Sequence, residues 1–298
     1  MTSIRQAVTG DAEAICALRR IVTPYLVHPA DSVRHALASR PPEERFSMYV
    51  AEADTGLAAV LSVGLQRWSS ERGAAYLGLS VHPDHRCQGL GTALADLGER
   101  HLREAGARRV RVWVQSEYLD FAQARGYAET RQIHFAGLEL RSPPVLEPPP
   151  GLRLVALAEL DPRQVYAADV IANRDKPADS PTDAIAFDEW LRSFWHGPSP
   201  DLELSVAVVA GDEVVCFTAV DTDGERIWST MTGTIPAYRG QGLAKIVKAA
   251  ALRRAVDAGA TVAYTANDEA NRAMLAVNQW LGYHRVATQS TVIRSFSD

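Results

Sequence analysis

Two glycine-bearing loops in a common register constrain this chain more than any other feature. Residues 81–94 read VHPDHRCQGLGTAL and residues 234–247 read TIPAYRGQGLAKIV. Arg86 and Arg239 lie 153 residues apart, as do Gly89 and Gly242. Gly126 and Gly282 lie 156 apart, so the two halves drift by only three residues across a whole loop–helix–strand unit. A register held over that distance points to internal duplication.

The surrounding pattern repeats as well. Residues 3–8 and 151–157 read as opening strands, followed by helical stretches at 11–21 and 161–172. Strand pairs follow at 48–53 and 57–66 around Asp54-Thr55-Gly56, and at 203–210 and 213–221 around Gly211-Asp212. Strands 75–81 and 227–234 then run into the two loops, and the helices after them each end at Ala-Gly-Ala, where glycine can cap. Between the halves, residues 141–150 (RSPPVLEPPP) hold five prolines and favour an extended connector. A chain of 298 residues has room for two domains, placed at 1–140 and 151–298 with 141–150 as linker.

Each loop has the chemistry of an anion site. Small residues at Gly89 and Gly91, or Gly242 and Ala244, let a ligand approach backbone N–H groups. Those groups open a helix, whose positive N-terminal end favours a pyrophosphate. Arg86 or Arg239 adds charge, Thr92 a hydroxyl and Lys245 an ammonium. No Gly-Lys-Ser/Thr ends either loop, and the third glycine and trailing acid of a dinucleotide fingerprint are missing.

The formal charge of −5, with no Lys/Arg run longer than a pair, argues against a nucleic-acid partner. Cys16, Cys87 and Cys216 lack metal-ligand spacing and read as reduced thiols; no metal site is expected. Neither a signal peptide nor a membrane span is legible, so the expected compartment is the cytoplasm.

Both loops resemble the pyrophosphate-binding motif of the GNAT superfamily of acyl-CoA N-acyltransferases. The second half adds residues 265–274 (TANDEANRAM), then Asn278 and Leu281-Gly282-Tyr283, similar to the Asn-bearing segment that flanks the pantetheine arm in that family. The first half has a shorter version, Phe121 to Tyr127. The resemblance implies an α/β fold with a mixed sheet in two tandem domains, and acetyl-CoA as acyl donor. It implies a cofactor set of Arg86, Cys87, Gln88, Gly89, Leu90, Gly91 and Thr92 in the first half, with strand backbone at Leu79 and Val81. In the second half the set is Arg239, Gly240, Gln241, Gly242, Leu243, Ala244 and Lys245, with Thr232, Thr234, Asn267 and Asn271. Strand N–H groups there would position the thioester and stabilise developing negative charge.

The family's frequent strand glutamate is absent from residues 74–81 and 227–234, with Glu71 and Glu225 only at the strand entrances. Ala122 and Asn278 stand where the family often has an acid tyrosine. Tyr118, Asn278 and Glu225 are the candidates left for proton transfer. A thiolate of pKa ~8.5 departs without strong acid help, so the missing tyrosine does not exclude catalysis. The acceptor is expected to be a small-molecule amine, met in the second half by Asp175 to Asp183 and by Phe187-Asp188-Glu189-Trp190. Trp190, Phe194 and Trp195, at helical spacing, read as core, and His82 and His85 as solvent-facing. The second half carries the fuller cofactor signature and is the expected working site. A non-catalytic acyl-CoA sensor and an acyltransferase of protein or peptide amines stay open beside this reading; acyl length and oligomeric state are not encoded legibly.

Overall fold

The computed structural model describes residues 3–54, 56–67, 69–174 and 185–296. In chain order the elements of the first half are β1 (Ser3–Gln6), α1 (Ala12–Val22), α2 (Ala30–Ser39), β2 (Ser47–Ala53), β3 (Gly56–Leu65), β4 (Ala74–Val81), α3 (Leu90–Glu104), β5 (Arg109–Gln115), α4 (Leu119–Ala124) and β6 (Ala128–Glu139). The second half follows with β7 (Leu152–Ala156), α5 (Pro162–Asn173), α6 (Phe187–Trp190), β8 (Asp201–Ala210), β9 (Glu213–Thr222), β10 (Arg226–Thr234), α7 (Leu243–Asp257), β11 (Val262–Asp268), α8 (Arg272–Trp280) and β12 (His284–Ser295). No helix among the described residues is long and apolar enough to cross a membrane.

The chain forms two compact units. The first takes residues 3–133 together with 288–296, and the second takes residues 134–174 and 185–287. The units therefore do not coincide with continuous halves of the sequence: each receives a strand segment from the other half. In the first unit the sheet runs β1-β2-β3-β4-β5, with residues 289–295 of β12 antiparallel to β5. In the second it runs β7-β8-β9-β10-β11, with β6 next to β11. Leu140 N donates to Thr261 O at 2.8 Å, so the residues after β6 are tied into the second unit.

Burial follows from the pattern of side chains. In the first unit α3 lays Leu94, Ala95, Gly98 and Leu102 on the sheet at i, i+1, i+4 and i+8 spacing. A Cβ at Gly98 would stand 3.0–3.1 Å from Leu77 Cδ1, Leu61 Cδ1 and Val63 Cγ1, so glycine permits this close approach. Leu61, Val63 and Leu77 thus face α3, while Ile15 and Leu18 of α1 pack with Val50 and Val60 on the opposite face. The second unit repeats the layering, with α7 burying Leu243, Ile246, Val247 and Leu252. Trp190 is fully enclosed there, stacked on Phe194 at 4.8 Å and donating its indole N–H to Asp169 at 3.0 Å.

Candidate functional site

β4 and β5 are parallel neighbours only over Ala74–Leu77 and Arg109–Val112; past that point they part. The backbone parity of β4 says what faces the gap. Gln66 N bonds Ala74 O and His82 N bonds Ala58 O, each at 2.8 Å, so the even-numbered residues of β4 spend their groups on β3. Leu79 and Val81 consequently turn their N–H groups toward the opening. A cleft of about 680 Å³ lies there, lined by residues of the first unit, including 76–81, Arg86, Cys87, Gly89, Gly91, Thr92, 111–115 and Tyr118. Its size is that of small-ligand pockets, roughly 300–1,000 Å³.

The loop at the mouth of the cleft is built by local rules. Pro83 starts a short 3-10 turn, Cys87 takes a left-handed φ of 58°, and Gly89 caps α3 at φ 82°. No side chain caps that end, so the first-turn N–H groups of α3 remain for a ligand. The second unit repeats this with Pro236, Gly240 at φ 77° and Gly242 at φ 79°. The motif arginines have a structural role that spacing did not reveal: Arg86 Nε donates to Val81 O at 3.1 Å and Arg239 Nε to Thr234 O at 3.0 Å. Each fastens its loop to the end of the preceding strand. At Gly91 a Cβ would meet only Val81 Cγ2, at 3.9 Å, which explains why Ala244 serves at the matching place.

Tyr118 lines the cleft beside this loop, with the Arg86 guanidinium 5.3 Å above its ring. Burial, helped by Glu117, raises its pKa, so the phenol stays protonated at neutral pH. Glu99 is the sole carboxylate among the described residues that line the cleft; Arg125 holds it at 3.0 Å and Arg294 at 2.8 Å.

In the second unit β10 and β11 pair over Arg226–Ser229 and Val262–Thr265 and then separate. A β-bulge against β9 falls at the same place, between Ser229 and Met231, and leaves Thr230 as the extra residue. It reverses the strand's parity. Arg226 O accepts from Asp223 N before the bulge, whereas Ile235 N donates to Val215 O after it. Thr232 and Thr234 therefore turn their backbone groups to the gap, while their hydroxyls meet Thr218 at 2.8 Å and Cys216 at 3.2 Å. Asp221, on β9, faces the bulge region; burial raises its pKa against the pull of the Ser199 and Thr230 hydroxyls. It is an acid that no spacing in the sequence pointed to.

The remaining expected site residues divide. Asn278 is buried and donates to Asn267 Oδ1 at 2.6 Å, so these two meet. Asn271 instead caps α8, accepting from Met274 N at 3.3 Å. Glu225 is not brought to the gap. It sits at the closed end, where its carbonyl takes Thr261 N at 2.8 Å, roughly 20 Å along the strand from Thr232 at ~3.3 Å per residue. Residues 175–184, which include the expected acidic acceptor loop, lie outside the described residues. Asp188 is exposed and Trp190 is core rather than ligand wall.

The two units differ in what stands on the helix behind the gap. Ala95 lines the cleft of the first, and 153 residues on is Lys248, 2 % exposed, with Nζ 5.5 Å from the Tyr283 ring centroid. Lys245 packs over Trp280 at 4.6 Å. Burial alone pushes Lys248 down to about 7. Since the unfolded chain holds that proton up to an ordinary lysine pKa near 10.4, stability should fall as pH drops from ~10 to ~7 and level off below. Lys248→Met should remove that slope and add on the order of 4 kcal/mol at pH 7; denaturant titration at pH 7 and 10 checks it, and an unchanged slope would refute it.

Comparison with known proteins agrees with this geometry. The model of the acetyltransferase (GNAT) family matches residues 14–127 and again 167–283. A mycothiol acetyltransferase of Nocardiopsis dassonvillei is 27% identical over 292 residues, covering 88% of this chain and 84% of its own. Among solved structures, a tandem GNAT protein from the clavulanic acid biosynthesis pathway superposes with TM-score 0.75 at 18% identity, covering 100% of both chains. A GCN5-related N-acetyltransferase from Sphaerobacter thermophilus gives 0.73 at 22% identity, over 99% of this chain and 95% of that one. With its loops, split strands and layered sheet each present twice, the chain belongs to the acetyltransferase (GNAT) family as a tandem-domain acyltransferase.

Proposed function

We propose that the chain moves an acetyl group from acetyl-CoA to a primary amine of a small molecule, with the first unit as the working site. The observation that carries this reading is the cleft between β4 and β5, which joins the loop at Arg86–Thr92 to the gap-facing N–H groups of Leu79 and Val81. The residues fit the donor: uncapped N–H groups and Arg86 suit a pyrophosphate, and the strand gap suits an extended amide-bearing arm. Bound acetyl-CoA supplies an acyl group already activated as a thioester. The N–H groups of Leu79 and Val81 polarise its carbonyl, and the Tyr118 hydroxyl gives a proton to the departing sulfur. His28, the one imidazole among the described lining residues, faces the cleft from the segment after α1 and takes the proton of the amine. A cytoplasmic setting accords with three free thiols.

In the second unit, Lys248 stands in place of Ala95 behind the gap, which supports a scaffold role there. Thiol release from acetyl-CoA, followed over amino acids, amino sugars, polyamines and aminoglycosides, tests the reading. Turnover with at least one class is expected, and Tyr118→Phe should lower kcat about 10- to 100-fold with KM for acetyl-CoA nearly unchanged. Acetyl-CoA binding without any thiol release would replace the enzyme by an acyl-CoA sensor.

A further inference from the structure

The cleft continues past the strand gap toward α1, and the chemistry of that end differs from the loop end. Arg19, Thr23, His28, Ser62 and Tyr76 line it. Leu77 faces α3, so its neighbour Tyr76 points to the face that α1 covers. Arg19 comes down from α1 on that same side. Its backbone carbonyl accepts from Thr23, but its guanidinium has no hydrogen bond or ion pair among the described residues. The Tyr76 hydroxyl is likewise buried without a partner. Burial lowers the pKa of Arg19, and among the described residues the Cys16 thiol and the Tyr76 phenol, not a carboxylate, act against that fall. Glu99, the one acid among the described residues of the wall, is already held by Arg125 and Arg294 on the α3 side.

A guanidinium half-buried in the wall of a cleft, with no carboxylate paired to it among the described residues, is a ready anion seat, and its five donors match a carboxylate or phosphate. We propose that the acceptor amine of the first unit carries an anionic group, a carboxylate or a phosphate, seated on the Arg19 guanidinium. The proposal rests on the acetyl-transfer reading above and narrows its substrate class. It assigns Arg19 as a specificity-determining residue. The loop at Arg86 takes the donor's phosphates, and Arg19 takes the acceptor's anion on the opposite face of β4. The amine is thereby held by its own charged tail with its nitrogen free to attack.

The test compares ethylamine, β-alanine and phosphoethanolamine as acceptors for the full chain, with wild type, Arg19→Gln and Arg19→Lys. One of the two acidic amines should exceed ethylamine in kcat/KM by about 100-fold, and which one wins separates carboxylate from phosphate. Arg19→Gln should raise KM for that amine about 100-fold while kcat and the ethylamine value stay within a few-fold; Arg19→Lys should recover part of the loss. Equal use of all three amines, or an Arg19→Gln loss that is the same for ethylamine, overturns the proposal. Binding of N-acetyl-β-alanine, N-acetylphosphoethanolamine and N-ethylacetamide to the coenzyme A-loaded protein gives a readout independent of turnover. An acidic product bound tightly by wild type and released by Arg19→Gln supports the anion seat even where no amine releases thiol, a result that would sink only the acetyl-transfer reading. Three products bound equally, or none bound, overturn the anion seat itself.

Discussion

Removing the last strand should unfold the first unit, although that strand lies more than 150 residues from the rest of it. A chain ending at Tyr283 lacks β12, which pairs with β5 from Arg109 to Gln115 through Gln289–Ser295. The loss strips Val292, 0% exposed, and Phe296 from the core around Leu61 and Leu94. It also removes the Arg294 bond to Glu99 at 2.8 Å and the Gln289 bond to Tyr25 at 2.9 Å. An exposed edge, unpaired N–H groups and an opened core together approach the whole stability of a domain, about 5–15 kcal/mol. Hydrogen exchange should therefore show lost protection at β4 and β5, and acetyl-CoA should no longer raise the melting temperature. Residues 1–140 expressed alone should fail in the same way, while adding residues 284–298 through a flexible linker should restore protection. A truncated chain that keeps native protection would show that β12 is dispensable to the first unit.

Charge reversal at the two motif arginines should separate the units as sharply. Acetyl-CoA at 100 times its Kd stabilises a native protein by about 2.7 kcal/mol. Arg86→Glu puts a carboxylate where uncapped N–H groups and a cation now favour phosphate, so most of that stabilisation should vanish. KM for acetyl-CoA should rise about 100-fold, with kcat reduced only a few-fold, because the residue acts on binding rather than on the reacting atoms. Arg239→Glu should cost about 1 kcal/mol locally, from its bond to Thr234 O, and keep most of the ligand shift. Equal loss from both variants would mean two occupied sites. Loss from Arg239→Glu alone would return the working site to the second unit, where the fuller Asn-bearing segment had led the sequence reading to expect it.

Much of this molecule is written locally. The loop–helix junctions follow from glycines that accept positive φ and from prolines that start the turns, so the course of Arg86–Thr92 and Arg239–Lys245 into their helices is legible in the sequence. The parity of β4 and β10 makes Leu79, Val81, Thr232 and Thr234 face their gaps, as their positions relative to the loops suggested. Asn271 shows where the sequence leaves a choice open: the same side chain can meet a ligand or cap a helix, and the fold has it capping α8. Glu225 stands at the strand entrance, the far end of β10 from the strand exit, a placement that follows from strand length.

What sequence by itself determined here is the periodic and the short-range: two units of one kind, their strand–loop–helix order, and a glycine-bearing loop before a helix in each. Tertiary structure alone decided which strand completes which sheet, because pairing energy depends on edges that meet in space and not on separation along the chain. It also decided that, among the described residues, no carboxylate pairs with the Arg19 guanidinium, a fact set by what surrounds it in space. A residue's neighbours across a cleft leave no periodicity in its own segment, so the groups that line the cleft beside Arg19 are visible only once the chain has folded.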